Sequence, residues 1–191
     1  MTDIHIPAPA RRGVPIWAQI SIWAVLVVLL VFLAIALKRS QQGTVQPSDK
    51  ISDFSVPLFS GYELGGQSQV RLSELHGKVV LVNFWASWCK PCEQEAADLR
   101  SAWRYYEPRG DVVFVGVDYV DTEPEARAYL KKFDITYANG PDLGTKVSQL
   151  FRIKGVPDSY FIDQNGVLKY VQIGPFSSES QIQSIIDPLL N

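Results

Sequence analysis

The chain has two cysteines, three residues apart, in Trp85-Ala86-Ser87-Trp88-Cys89-Lys90-Pro91-Cys92. They follow the strongest strand signal in the sequence, Val79 to Trp85, and open a segment of helical periodicity. A helix N-terminus presents unpaired N–H groups and a partial positive charge, and both stabilise a thiolate. Cys89 is therefore expected to ionise readily and act as a nucleophile. Lys90 adds a nearby positive charge. Cys92 falls almost one turn further in, placed to attack a mixed disulfide on Cys89 and release the partner. Pro91 sits in the first turn, where no backbone donor is needed.

Three other uses of such a pair compete with redox exchange. A structural zinc site needs four ligands, and only His5 and His76 supplement the cysteines. Covalent haem attachment needs a histidine directly after the second cysteine, where Glu93 stands. An inert disulfide closing so short a loop contributes little stability. The pattern favours a redox-active Cys89–Cys92 pair, with no metal and no added cofactor.

Glu95 is the third chemical candidate. At about 100° per residue from Cys89, Ala96, Leu99, Ala102, Trp103 and Tyr106 fall within an arc of roughly 220° to 340°. Cys92 and Glu95 fall inside the same arc; Glu93, Arg100, Arg104 and Glu107 fall outside it. Glu95 therefore points toward the core, where desolvation raises a carboxyl pKa and suits it to exchange a proton with Cys92. The competing reading is a carboxylate at the arc's edge that reaches water or a cation. Asp118, at the end of a buried strand, reads equally as a buried acid or a solvated loop residue.

The elements that must position these groups are legible in outline. Asp53–Leu58 and Val70–Leu72 read as short strands around a turn with Gly61, Gly65 and Gly66. Val79–Trp85 and Val112–Val117 are continuous apolar runs suited to strands buried on both faces. A helix is expected from about Cys89 to Glu107. Thr122-Glu123-Pro124-Glu125 reads as a capping box opening a helix to Phe133, and a short helix is expected over Thr145–Phe151. Asp158–Asp163 and Val167–Ile173 join at Asn165-Gly166 as a hairpin, and Ser178–Leu190 closes as a helix. Alternating strands and helices predict an α/β domain whose sheet is covered on both faces.

Ahead of this domain, residues 14–37 carry no charge, enough for roughly 36 Å of helix against a hydrocarbon core of about 30 Å. The sequence divides into a short tail 1–13, a transmembrane anchor 14–37, a flexible linker 38–50 and a domain 51–191. A cleaved signal peptide ending near Ala34-Ile35-Ala36 is the alternative. Either reading exports the domain. Arg11 and Arg12 before the span nearly balance Lys38, Arg39 and Lys50 after it, so the tail is placed inside because it would otherwise cross unaided. Beyond residue 40, 14 basic residues stand against 19 acidic ones, a net of −5 that disfavours nucleic-acid binding. At 47% hydrophobic and 20% charged, the composition excludes a disordered or fibrous chain.

The run from Gly77 to Cys92, with Glu95 three beyond, resembles the membrane-anchored thioredoxin-like proteins of the TlpA/ResA/DsbE type. The resemblance implies a thioredoxin fold with an N-terminal strand pair (Phe54–Leu75) and a central insertion (Asp121–Asp142), preceded by one transmembrane helix. Gly155-Val156-Pro157 matches the segment whose proline is cis and faces the dithiol, and Gly174-Pro175 the turn before the last helix. By the same resemblance Trp88, Lys90, Pro91, Val156 and Pro157 border the substrate groove, and Glu95 is a buried acid/base. Asp158 departs from the family pattern by placing a charge beside that groove. The implied activity is extracytoplasmic thiol–disulfide exchange by a single-pass membrane protein. The implied partners are protein disulfides, apocytochrome c among them, and a membrane electron donor. Two alternatives stand beside it: a thiol peroxidase, although Ala86 replaces the Thr or Ser expected three before the nucleophile, and a non-catalytic binding module.

Overall fold

The computed structural model describes residues 15–40 and 45–190. The expected tail, part of the linker, and His5, Arg11 and Arg12 lie outside the described residues. The chain divides into two units between residues 43 and 44. The first contains helix α1 (Ile16–Ser40), whose stretch Ile16–Ile35 has a mean hydropathy of 2.7 and none of it buried. It is long and apolar enough to span a bilayer.

The second unit holds strands β1 (Ser55–Pro57), β2 (Gln69–Arg71), β3 (Val79–Trp85), β4 (Val112–Asp118), β5 (Ala138–Pro141), β6 (Asp158–Ile162) and β7 (Leu168–Ile173). Its helices are α2 (Lys90–Tyr106), α3 (Glu123–Lys132), α4 (Lys146–Phe151) and α5 (Glu179–Ile186). The main sheet runs β5-β4-β3-β6-β7. β3, β4 and β5 are parallel, and β6 and β7 run antiparallel to their neighbours. β3 is therefore the central strand, and all seven of its residues are buried, as its uninterrupted apolar run requires.

Strand alternation sorts the core into two layers. Val79, Leu81 and Trp85 pack with the inward residues of α2, α3 and α5. Val80, Val82 and Phe84 pack on the opposite face with Val147 and Phe151 of α4 and with Val56 and Val70 of the β1–β2 hairpin. The hairpin is a separate two-stranded sheet, tied to β5 by the bond from Phe59 N–H to the Asn139 carbonyl at 2.9 Å.

Four local features differ from the sequence reading. β5 was not expected: Ala138-Asn139-Gly140-Pro141 has no apolar alternation, yet it pairs with β4 and forms the sheet's edge. Residues 121–142, the expected central insertion, thus supply a strand of the main sheet in addition to the expected helix α3. Thr122 caps α3 without the bond of a capping box; its hydroxyl donates to the Glu125 carboxylate at 2.7 Å. The last helix ends at Ile186 and continues as a 3-10 turn over Asp187–Leu189, because Pro188 has no N–H to extend the α pattern. The end of the expected linker belongs to the fold. Ser48 N–H donates to the Leu168 carbonyl and Ile51 N–H to the Gly166 carbonyl, while α1 itself runs to Ser40.

Candidate active site

Cys89 and Cys92 are joined as a disulfide at the N-terminus of α2, with Cα atoms 5.3 Å apart. Cys89 is the N-cap residue, and its Sγ accepts the Cys92 N–H at 3.1 Å. The cap position is normally filled by a small side chain carrying an oxygen acceptor; here sulfur occupies it, at the positive end of the helix dipole. Both sulfur residues are buried, Cys92 at 1% exposure and Cys89 at 4%. Cys89 Sγ also lies 3.5 Å from the Val156 carbonyl oxygen, so a thiol there has an acceptor for its proton. The Val156–Pro157 peptide is cis. This loop forms one wall of an open groove of about 500 Å³, lined by Lys154, Gly155, Val156, Pro157, Asp158, Ile173 and Gly174.

The remaining expected groove residues are arranged unevenly. Trp88 is 59% exposed, its indole Nε1 donating to the Val120 carbonyl at 3.3 Å. Pro91 is exposed in the first turn of α2. Lys90 points to solvent and pairs with Glu93 at 2.9 Å, and Glu93 also meets Lys132 at 3.0 Å. Asp158 lines the groove yet is only 4% exposed, with burial pushing its carboxyl up to about 6. The departure from the family pattern thus places an acid beneath the groove wall.

Glu95 lies on the inward face of α2 with Cys92, Ala96, Leu99, Ala102, Trp103 and Tyr106, all buried. Its Oε1 accepts Asn83 Nδ2 at 2.9 Å, and its Oε2 accepts the Phe176 N–H at 3.1 Å. Burial raises its pKa from 4.5 to about 7; these two bonds oppose the rise, and the nearby Asp158 and Asp98 add to it. Asp118 is buried at the end of β4.

Several participants escaped the sequence reading. Asn83 is the one polar residue in β3, on the face shared with Leu81 and Trp85, and its amide bridges Glu95 and Ser159 Oγ, 2.9 Å from each. A polar side chain inside a fully apolar strand was the available signal. Tyr129 stacks on Trp85, ring centroids 4.5 Å apart, and its hydroxyl donates to the Cys92 carbonyl at 2.9 Å. Asp121 accepts the Ser87 N–H at 2.6 Å from a loop that carried no local signal. Among the described residues no group of three or more His, Cys, Asp or Glu side chains is arranged to hold a metal ion.

The chain is similar to known proteins. The profile of the AhpC/TSA family matches residues 47–171. The thiol-disulfide oxidoreductase ResA of Oceanobacillus iheyensis is 32% identical over 154 residues, covering 81% of this chain and 79% of that protein. The thiol:disulfide interchange protein DsbE of Allochromatium vinosum is 30% identical over 169 residues, covering 84% and 91%. A crystal structure of a DsbE-type thiol:disulfide interchange protein from Chlorobium tepidum superposes with a TM-score of 0.68 at 26% identity, covering 78% of this chain and all of that one.

Proposed function

The chain belongs to the AhpC/TSA family and is a thiol–disulfide oxidoreductase of thioredoxin fold, and from that premise we propose that it is a membrane-tethered reductant of protein disulfides outside the cytoplasm. The observation that carries this reading is the Cys89–Cys92 disulfide at the head of α2, with the Val156–Pro157 loop beside it and Glu95 buried behind.

In the reduced protein the Cys89 thiolate, stabilised by the Cys92 N–H and the helix terminus, attacks one sulfur of a substrate disulfide. A Cys89–substrate disulfide forms, and the other substrate sulfur leaves as a thiolate and takes a proton. Cys92, its proton passed to Glu95, then attacks Cys89 Sγ. The second substrate sulfur is released, and the Cys89–Cys92 disulfide carries away the equivalent of two electrons' oxidation. The dithiol is the whole redox group in this scheme, with no added cofactor or metal, and a membrane dithiol donor returns the electrons. Trp88, Lys90, Pro91, Val156 and Pro157 border the substrate.

The resemblance to ResA and DsbE proteins supports apocytochrome c, with its Cys-x-x-Cys-His site, as the substrate. Helix α1 supports single-pass anchoring, and we place the short tail inside and the domain outside. No observation favours the peroxidase or binding-module alternatives: Ala86 keeps its place before Cys89, and Cys89 is bridged to Cys92.

The test presents the reduced full-length protein in detergent with an oxidised Cys-x-x-Cys-His peptide and with a disulfide peptide lacking the histidine. The proposal expects two thiols released per protein oxidised, faster with the first peptide. Equal rates would remove apocytochrome c as the substrate, and transfer of electrons only from peptide dithiol to protein would reverse the assigned direction.

A further inference from the structure

The loop after β4 grips the segment in front of the dithiol at three points. Tyr119 N–H donates to the Trp85 carbonyl at 2.8 Å. Asp121 Oδ2 accepts the Ser87 N–H at 2.6 Å. The Val120 carbonyl accepts Trp88 Nε1 at 3.3 Å. Val120 has φ +48°, a conformation that a β-branched residue rarely adopts, so these contacts hold a strained loop in place.

Asp118 lies at the base of this loop. It is 1% exposed, and neither of its carboxyl oxygens meets a donor. An ionised carboxylate there would have neither water nor a hydrogen bond to stabilise it. Burial and the neighbouring Asp121 push its pKa up to about 8, so near neutrality it is a carboxylic acid beside Asp121. Among the described residues no cation contributes to its environment. In register with it stand Trp85 of β3 and Pro141 of β5. Asp142 turns its carboxylate to Val147 N–H and to Ser148 of α4. Glu125 of α3 is held by Thr122, and Glu95 of α2 faces Asn83 and Phe176.

We propose that Asp118 and Asp121 are positioning residues for thiol exchange: an acid–carboxylate pair that holds Ser87 and Trp88, and through them Cys89, in attacking position, and lets them go when the pair takes a second negative charge. The inference rests on the reading of Cys89 as nucleophile, and it gives Asp118 a task that the exchange chemistry itself does not use. Loss of the Asp118 proton sets two carboxylates against each other, and Asp121 relieves the repulsion by leaving the Ser87 N–H.

The experiment follows hydrogen exchange of the Ser87 amide in the full-length oxidised protein, in detergent, between pH 6.5 and 9.5. No thiol titrates in that form. The protection factor, corrected for intrinsic exchange, should fall about tenfold or more across this range, as loss of a charge-assisted bond implies. Asp118→Asn should keep protection flat, and Asp121→Ala, which removes the acceptor of the Ser87 N–H, should be poorly protected throughout. The reduced proteins are then alkylated with iodoacetamide at Cys89: the wild-type rate per thiolate should change over the same range, and that of Asp118→Asn should not. Glu95 keeps its own, lower step in both. Flat protection in the wild type, an equal fall in Asp118→Asn, or a Ser87 response without a Cys89 response would each overturn the proposal. Because the Ser87 measurement needs no thiol chemistry, it separates failure of the clamp from failure of the proposed function. If Asp118→Asn does not fold, the wild-type and Asp121→Ala profiles still decide.

Discussion

At the scale of single residues, the site is a set of hydrogen bonds arranged around two acids and two sulfurs. Glu95 was legible from periodicity alone, because Cys92, Ala96, Leu99 and Glu95 share one side of an ideal helix and that side is buried. Its partners were less legible. Asn83 announced itself only as a polar break in an apolar strand, whereas the Phe176 N–H comes from 81 residues away and no local pattern encodes it. The Asn83 bond lowers the pKa of Glu95, and burial raises it. Asn83→Leu removes the bond without opening a large cavity, so the Glu95 step in the rate of mixed-disulfide resolution should move above pH 7. Glu95→Gln should abolish the step. A rapid-mixing pH series on the three proteins checks both, and identical profiles would remove Glu95 from the proton path.

At the scale of elements, the segments with one dominant periodicity were read closely, and those positioned by tertiary contacts were not. β3 and α2 fall within a residue or two of expectation. β5 was invisible because its four residues gain their strand geometry from the β4 register and from the hairpin laid on them. That packing is tight. A Cβ on Gly140 would stand 1.7 Å from the Pro57 carbonyl oxygen, and backbone cannot move aside as a side chain does. Gly140→Ala should therefore displace β1 and β2 from the edge of the sheet and cost about 2–3 kcal/mol or more. Gly155→Ala, where an added Cβ meets nothing within 4 Å, serves as the control. Urea unfolding of both variants measures the difference; equal midpoints would mean that the hairpin is not seated as described.

At the scale of the whole molecule, both the α/β architecture and the apolar N-terminal helix were legible, since each follows from runs of residues longer than any single contact. The electrostatic consequence was not. Glu95, Asp118 and Asp158 are raised by burial to about 7, 8 and 6. Between about pH 4 and 8 the folded protein therefore binds protons that the unfolded chain has lost, and stability falls as pH rises through this window. At about 1.4 kcal/mol per pH unit, Glu95 alone accounts for roughly 3 kcal/mol between pH 4.5 and 7. Carboxylates held below their usual range, such as the exposed Asp53 and the half-buried Glu93, act only at lower pH. Urea midpoints of the oxidised protein should be higher at pH 5 than at pH 8, with a shallower decline in Glu95→Gln. A midpoint that rises with pH would contradict the buried-acid account.

The division of labour between the sulfurs is open to a direct trap. Full-length Cys92→Ser and Cys89→Ser proteins are mixed with a disulfide-containing peptide, quenched with acid and weighed by mass spectrometry. Cys92→Ser should accumulate a peptide adduct on Cys89, held because nothing resolves it, and Cys89→Ser should gather almost none, because Cys92 is buried behind the cap. Adducts forming as readily on Cys92, or on neither sulfur, would contradict the assignment of Cys89 as the attacking thiol.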